Sequence, residues 1–146
     1  MAEVIREFFM APLYDNIDWP PTTTAQTREV GIKPNGKPYL YKPDKLLQAE
    51  INIRNALARF RPETPITNQP IRLTVKWLYP VINSKKHRHG EYKLTRPDTD
   101  NLQKLLKDCM TDLGFWVDDS LVCSEIAEKF WADTPGIYVK IEVLDG

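Results

Sequence analysis

The hydrophobic pattern changes period near residue 71, and that change divides the chain into elements. Ile71, Leu73, Val75, Trp77 and Tyr79 alternate with Arg72, Thr74 and Lys76, the period of two expected of a strand with one face buried. Upstream, Leu46, Ala49, Ile53, Ala56, Leu57 and Phe60 recur at helical spacing behind Asp44, a suitable N-cap, until Pro62 and Pro65 stop the helix. Downstream, Leu102, Leu105, Leu106, Cys109 and Leu113 form the apolar stripe of a second helix beginning near 98–100, with Gly114 as its stop. Residues 4–10 predict a first strand, followed by a proline-broken loop at 19–24. Asn35-Gly36 predicts the turn of a small hairpin or ordered loop. Two further strands are expected at about 121–130 and 137–144, joined at Pro135-Gly136. The order β-α-β-α-β-β predicts an α+β fold, with helices packed on a mixed sheet of about four strands.

A chain of 146 residues, 42% of them hydrophobic, is the length of one domain, so residues 1–146 are read as a single unit. No apolar run approaches the ~18 residues of a membrane span, and no basic, apolar and small-residue leader pattern opens the chain. The expectation is a cytoplasmic protein with no membrane partner. Cys109 and Cys123 are too few for a disulfide framework and are expected to be free thiols.

Charge changes the picture. The net charge is zero, yet residues 28–107 carry 17 basic and 7 acidic side chains while residues 108–146 carry 2 and 9. A basic centre suits a polyanion, and the acidic remainder suits a cation site or solvated faces. The basic residues concentrate in 83–96, with Lys85, Lys86, Arg88, Lys93 and Arg96 against one Glu. This segment is read as a loop that either contacts phosphates or is simply solvated.

Immediately after it comes Arg96-Pro97-Asp98-Thr99-Asp100-Asn101-Leu102-Gln103-Lys104. Residues two apart on a helix diverge by about 200°, so Asp98 and Asp100 share a side only if Asp98 lies in extended chain before the first turn. Pro97 favours that boundary. Asp100 and Lys104 are i,i+4 neighbours on the face opposite the apolar stripe. The same residues also suit an ordinary capped helix with a surface ion pair. A second acidic pair, in Phe115-Trp116-Val117-Asp118-Asp119-Ser120, tips the balance toward a metal. Like charges beside large aromatics call for a cation or a basic neighbour, and Asp oxygens with water and phosphate are what Mg²⁺ or Mn²⁺ prefers. Such an ion activates water toward phosphorus, and Lys104 would stabilise the charge that develops.

The run 96–104 with Asp108, Phe115 to Ser120 and Lys129 resembles the core signature of the RusA family of Holliday junction resolvases. Weaker likeness extends to the basic loop, the Asn35-Gly36 segment and the final strand. The resemblance implies Mg²⁺-dependent cleavage of four-way DNA junctions by a homodimer. It also implies catalytic, metal-binding roles for Asp98, Asp100 and Asp119, an essential Lys104, and a lesser metal-binding place for Asp118. The chain departs from the family at Pro-Pro-Thr-Thr-Thr-Ala-Gln-Thr before Arg28, where relatives carry basic residues, and at Cys109-Met110-Thr111. Two rival readings are a non-catalytic DNA-binding module and a metal-dependent nuclease of flaps or RNA. A zinc site from His87, His89, Cys109 and Cys123 is rejected, because the spacings match no finger pattern. Trp77 and Tyr79 are expected in the core. Trp116 and Trp131 are expected there too, base stacking being the rarer fate.

Overall fold

The computed structural model describes residues 2–24, 29–41, 44–81 and 86–145. Six strands and two helices occur among them: β1 (Glu3–Met10), β2 (Glu29–Ile32), β3 (Pro38–Tyr41), α1 (Asp44–Leu57), β4 (Ile71–Pro80), α2 (Thr99–Asp112), β5 (Val122–Ala132) and β6 (Gly136–Val143). The main sheet has the order β1-β6-β4-β5. β6 runs antiparallel to both β1 and β4, whereas β4 and β5 are parallel, with Trp77 opposite Lys129. The sheet is therefore mixed and four-stranded, as the hydrophobic periods predict, and the class is α+β.

Strand alternation carries through to burial. Ile71, Leu73, Val75, Trp77 and Tyr79 are all buried on the helix-covered side, as are Ile137, Val139, Ile141 and Val143 of β6. The helices supply the other half of the core through Leu46, Ala49, Ile53, Ala56 and Leu57 of α1 and Leu102, Leu105, Leu106, Cys109 and Met110 of α2. Gly114 ends α2 with φ +80°, the left-handed position that glycine takes at no steric cost, and its N–H bonds the Thr111 carbonyl. β2 and β3 form a separate hairpin, closed at Asn35-Gly36 with Gly36 at φ +83°.

Two loops carry contacts that the hydrophobic pattern does not show. The proline-broken loop is anchored: the Trp19 indole donates to the Met10 carbonyl (2.9 Å) and the Tyr79 hydroxyl to the Pro21 carbonyl (2.8 Å). The basic loop is laced onto the free edge of β5 through Gly90 N–H to Trp131 C=O, Trp131 N–H to Glu91 C=O and Lys93 N–H to Lys129 C=O, at 2.8–2.9 Å. Its apolar period is too short to read as a strand, yet its backbone pairs like one.

Candidate active site at the mouth of helix α2

Asp98 sits ahead of α2 with extended backbone (φ −76°, ψ 146°), and its carbonyl accepts the first helical bond from Leu102 N–H at 3.1 Å. Its side chain makes no capping hydrogen bond. The carboxylate is thus left available at a position where aspartate ordinarily serves the helix itself. Asp100 lies in the first turn and is exposed. Both line one open cleft of about 540 Å³, together with Arg96, Pro97, Asn101, Thr22 and Thr24. The expectation that an extended Asp98 shares a side with Asp100 is met. The opposite wall comes from the anchored N-terminal loop, where the Asp18 carboxylate accepts from both the backbone N–H and the hydroxyl of Thr22 (2.8 and 2.7 Å).

Asp118 and Asp119 do not line this cleft. Glu125 accepts from Gln103 Nε2 (2.7 Å) and Lys107 Nζ (3.0 Å), while Lys129, farther along β5, donates to the carbonyl of Pro97 ahead of α2. Advancing along β5 therefore means moving back along α2, so the residues that precede β5 lie toward the far end of the helix. Its 14 residues rise about 21 Å. Asp118 is occupied in capping the short 3₁₀ turn at Asp119–Leu121, accepting from Ser120 N–H at 3.1 Å. Among the described residues no group of three His, Cys, Asp or Glu side chains is placed to hold a metal ion. Of the three aspartates expected to converge, Asp98 and Asp100 share the cleft. A pair still fits a hard cation of the Mg²⁺ type, which commonly takes one or two carboxylates and fills its shell with water and phosphate oxygens.

Lys104 is exposed, as expected, but its ammonium lies 3.5 Å from Asp108, one turn further on, in a half-exposed pair. Of the basic residues expected on phosphate, Lys86, Arg88 and Arg96 are exposed and Arg96 lines the cleft. Lys85 lies outside the described residues. Lys93 is a correction: it is only 7% exposed, and its ammonium donates to the Thr95 hydroxyl and to the carbonyls of Thr95 (3.3 Å) and Arg96 (2.6 Å). The Tyr79 and Trp131 rings lie 5.1 and 4.8 Å from it. Burial, then the neighbouring Lys129 charge, holds its pKa below the usual lysine range. All three of its donors are spent inside the protein, so phosphate contact falls to the others.

Around this centre the aromatic and histidine side chains serve structure. His87 stacks on Trp131 (4.5 Å, 7°) and its Nδ1 lies 3.1 Å from Glu91, whose carboxyl is held below its usual range by the Arg88 backbone N–H and His87. Trp116 is buried and its indole donates to Thr111 Oγ1 at 2.7 Å. Cys109 is buried and Cys123 exposed, both free. Sequence reasoning missed Gln103, buried between the Trp77 indole (2.8 Å) and Glu125. Its place within an otherwise apolar helix face was the available signal.

Comparison with known proteins decides what this site belongs to. The profile of the family described as "Endodeoxyribonuclease RusA" matches residues 18–142. The chain belongs to the RusA family. RusA proteins are endodeoxyribonucleases, and the matched span contains both walls of the cleft, α2 and the basic loop. Among relatives, the chain is 34% identical over 126 residues to the uncharacterized protein YqaN of Bacillus subtilis (strain 168), covering 80% of this chain and 87% of that one. It is also 34% identical over 115 residues to the crossover junction endodeoxyribonuclease rusA of Lactococcus phage r1t, covering 77% and 82% respectively. In this RusA endodeoxyribonuclease the carboxylate pair shares its cleft with the exposed Arg96.

Proposed function

We propose that this RusA-family protein resolves four-way DNA junctions, in a reaction that depends on Mg²⁺ or Mn²⁺ held at the mouth of α2. The observation that carries the reading is the shared cleft of Asp98 and Asp100, flanked by Arg96, with Lys86 and Arg88 exposed on the preceding basic loop. The similarity to a phage crossover junction endodeoxyribonuclease supports the branched substrate. Asp98 and Asp100 supply the hard oxygen donors; Arg96, Lys86 and Arg88 attract and seat the phosphates. When bound, the metal would lower the pKa of a water and neutralise charge on the scissile phosphate. Lys104, on the exposed face of α2 one turn beyond Asp100, would leave its pair with Asp108 to answer charge on the displaced strand.

The family resemblance adds Asp119 to this reading as a third metal-binding carboxylate, with Asp118 as a lesser ligand, and both would have to approach the pair for a shared ion. A homodimer belongs to the reading as well, because a two-fold enzyme suits a substrate cut at two symmetry-related strands. No described helix is long and apolar enough to cross a membrane; a cytoplasmic location belongs to the proposal. The test is incubation of the purified protein with end-labelled four-way, flap and duplex DNA in Mg²⁺ or in EDTA. Symmetric nicks in the junction alone, abolished by EDTA, are expected. Tight binding indifferent to EDTA without scission would indicate a binding module, and equal cutting of flaps or RNA a less selective nuclease.

A further inference from the structure

Three successive carbonyls lead into Asp98, those of Thr95, Arg96 and Pro97, and every one accepts a hydrogen bond from a lysine ammonium. Lys129 of β5 donates to Thr95 C=O and Pro97 C=O, each at 2.7 Å. Lys93 donates to Arg96 C=O at 2.6 Å, and to the carbonyl and hydroxyl of Thr95. The segment has no strand partner of its own there, so without the lysines these carbonyls would turn to water or compete for a cation. Two ammonium groups so close repel each other, and one of them is buried; an arrangement that costly persists where it over-determines something.

What it over-determines is the backbone of Asp98. The peptide plane before Asp98 is fixed by Lys129 through the Pro97 oxygen, and the plane after it by the first bond of α2, Leu102 N–H to Asp98 C=O. The side chain between these planes is the one that makes no capping bond. Lys129 itself is held in the strand opposite Trp77, and Lys93 between Tyr79 and Trp131, so the clamp refers the position of Asp98 to the sheet rather than to the loop.

We infer that Lys93 and Lys129 are positioning residues, a two-ammonium clamp that holds the 95–97 segment so that the Asp98 carboxylate meets Asp100 at the spacing a divalent cation requires. The inference rests on the reading of the cleft given above and adds to it two residues that never touch DNA or metal. It explains why a lysine in a basic run is buried.

The test is Mn²⁺ titration of the whole protein, followed by electron paramagnetic resonance of the free ion, with wild type, Lys129→Met, Lys129→Arg and Lys93→Met, alongside thermal melts. Removing a group that orients a metal ligand weakens metal affinity roughly 10- to 100-fold. Lys129→Met is expected to lose Mn²⁺ affinity by about tenfold or more at temperatures well below its melting point, and Lys129→Arg, which still donates to carbonyls, to recover most of it. Should Lys129→Met fail to fold, Lys93→Met, which removes the other ammonium of the clamp, takes its place, with the same loss expected. Wild-type Mn²⁺ affinity in whichever of these Met variants folds, whatever its melting temperature, overturns the clamp. A wild-type protein that binds no Mn²⁺ overturns instead the reading of the cleft.

Discussion

Replacing Gln103 by Met tests how α2, and with it the carboxylate pair, is fixed to the sheet. Gln103 is 4% exposed, accepts from the Trp77 indole at 2.8 Å and donates to Glu125 at 2.7 Å, while Trp77 is itself wholly buried. Met keeps the length and volume of the side chain, so cavity formation contributes little. What remains is a buried indole N–H without an acceptor, which costs about 1–3 kcal/mol. Glu125 is exposed and keeps Lys107, so its lost bond adds only about 0.5 kcal/mol. A total of about 1.5–3.5 kcal/mol corresponds, at roughly 2–4 °C per kcal/mol for a domain of this size, to a Tm lower by about 3–14 °C. Urea unfolding followed by far-ultraviolet circular dichroism measures it. In the Gln103→Met background, Trp77→Phe should cost at least about 1 kcal/mol less than it does in wild type, because its donor is then already orphaned. A Gln103→Met variant within 0.5 kcal/mol of wild type, or additive costs in the pair, would refute the reasoning.

Other expectations follow from the same geometry. Burial pushes the Cys109 thiol up to about 12 from an ordinary value of 9.0, whereas Cys123 is exposed, so a thiol reagent should label one cysteine per native chain and two per unfolded chain. The linkage sign is destabilising at alkaline pH: the unfolded thiol ionises above pH 9.0 while the native one does not until about 12, so this group lowers stability as pH rises across that interval; Cys109→Ala should remove that slope in alkaline urea melts. Arg88→Ala should weaken junction binding and reduce by about one the slope of log affinity against log salt, measured by fluorescence anisotropy, if Arg88 neutralises a phosphate.

The strand periods, the α2 stripe and the helix stop at Gly114 were all legible, because each depends on residues within one or two turns of each other. The common side of Asp98 and Asp100 was legible for the same reason, through Pro97 and the boundary that it sets. The failures are long-range. Nothing in the spacing from Asp100 to Asp119 says that β5 runs back along α2. Lys93 looked like its basic neighbours; only the approach of Tyr79, Trp131 and the 95–96 carbonyls reveals a buried ammonium. Lys104 had carboxylates available at i−4 and i+4, and the structure pairs it with Asp108 rather than Asp100.

The most direct measurement compares wild type with Asp100→Asn on a labelled four-way junction in Mg²⁺, scoring binding and strand scission in the same samples. The amide keeps the size of the side chain and removes the ligand charge at an exposed position of α2, so folding and junction affinity should stay near wild type while cleavage falls by at least about a hundredfold, the order expected when a charge-stabilising group is lost. Cleavage by Asp100→Asn at the wild-type rate would contradict the account.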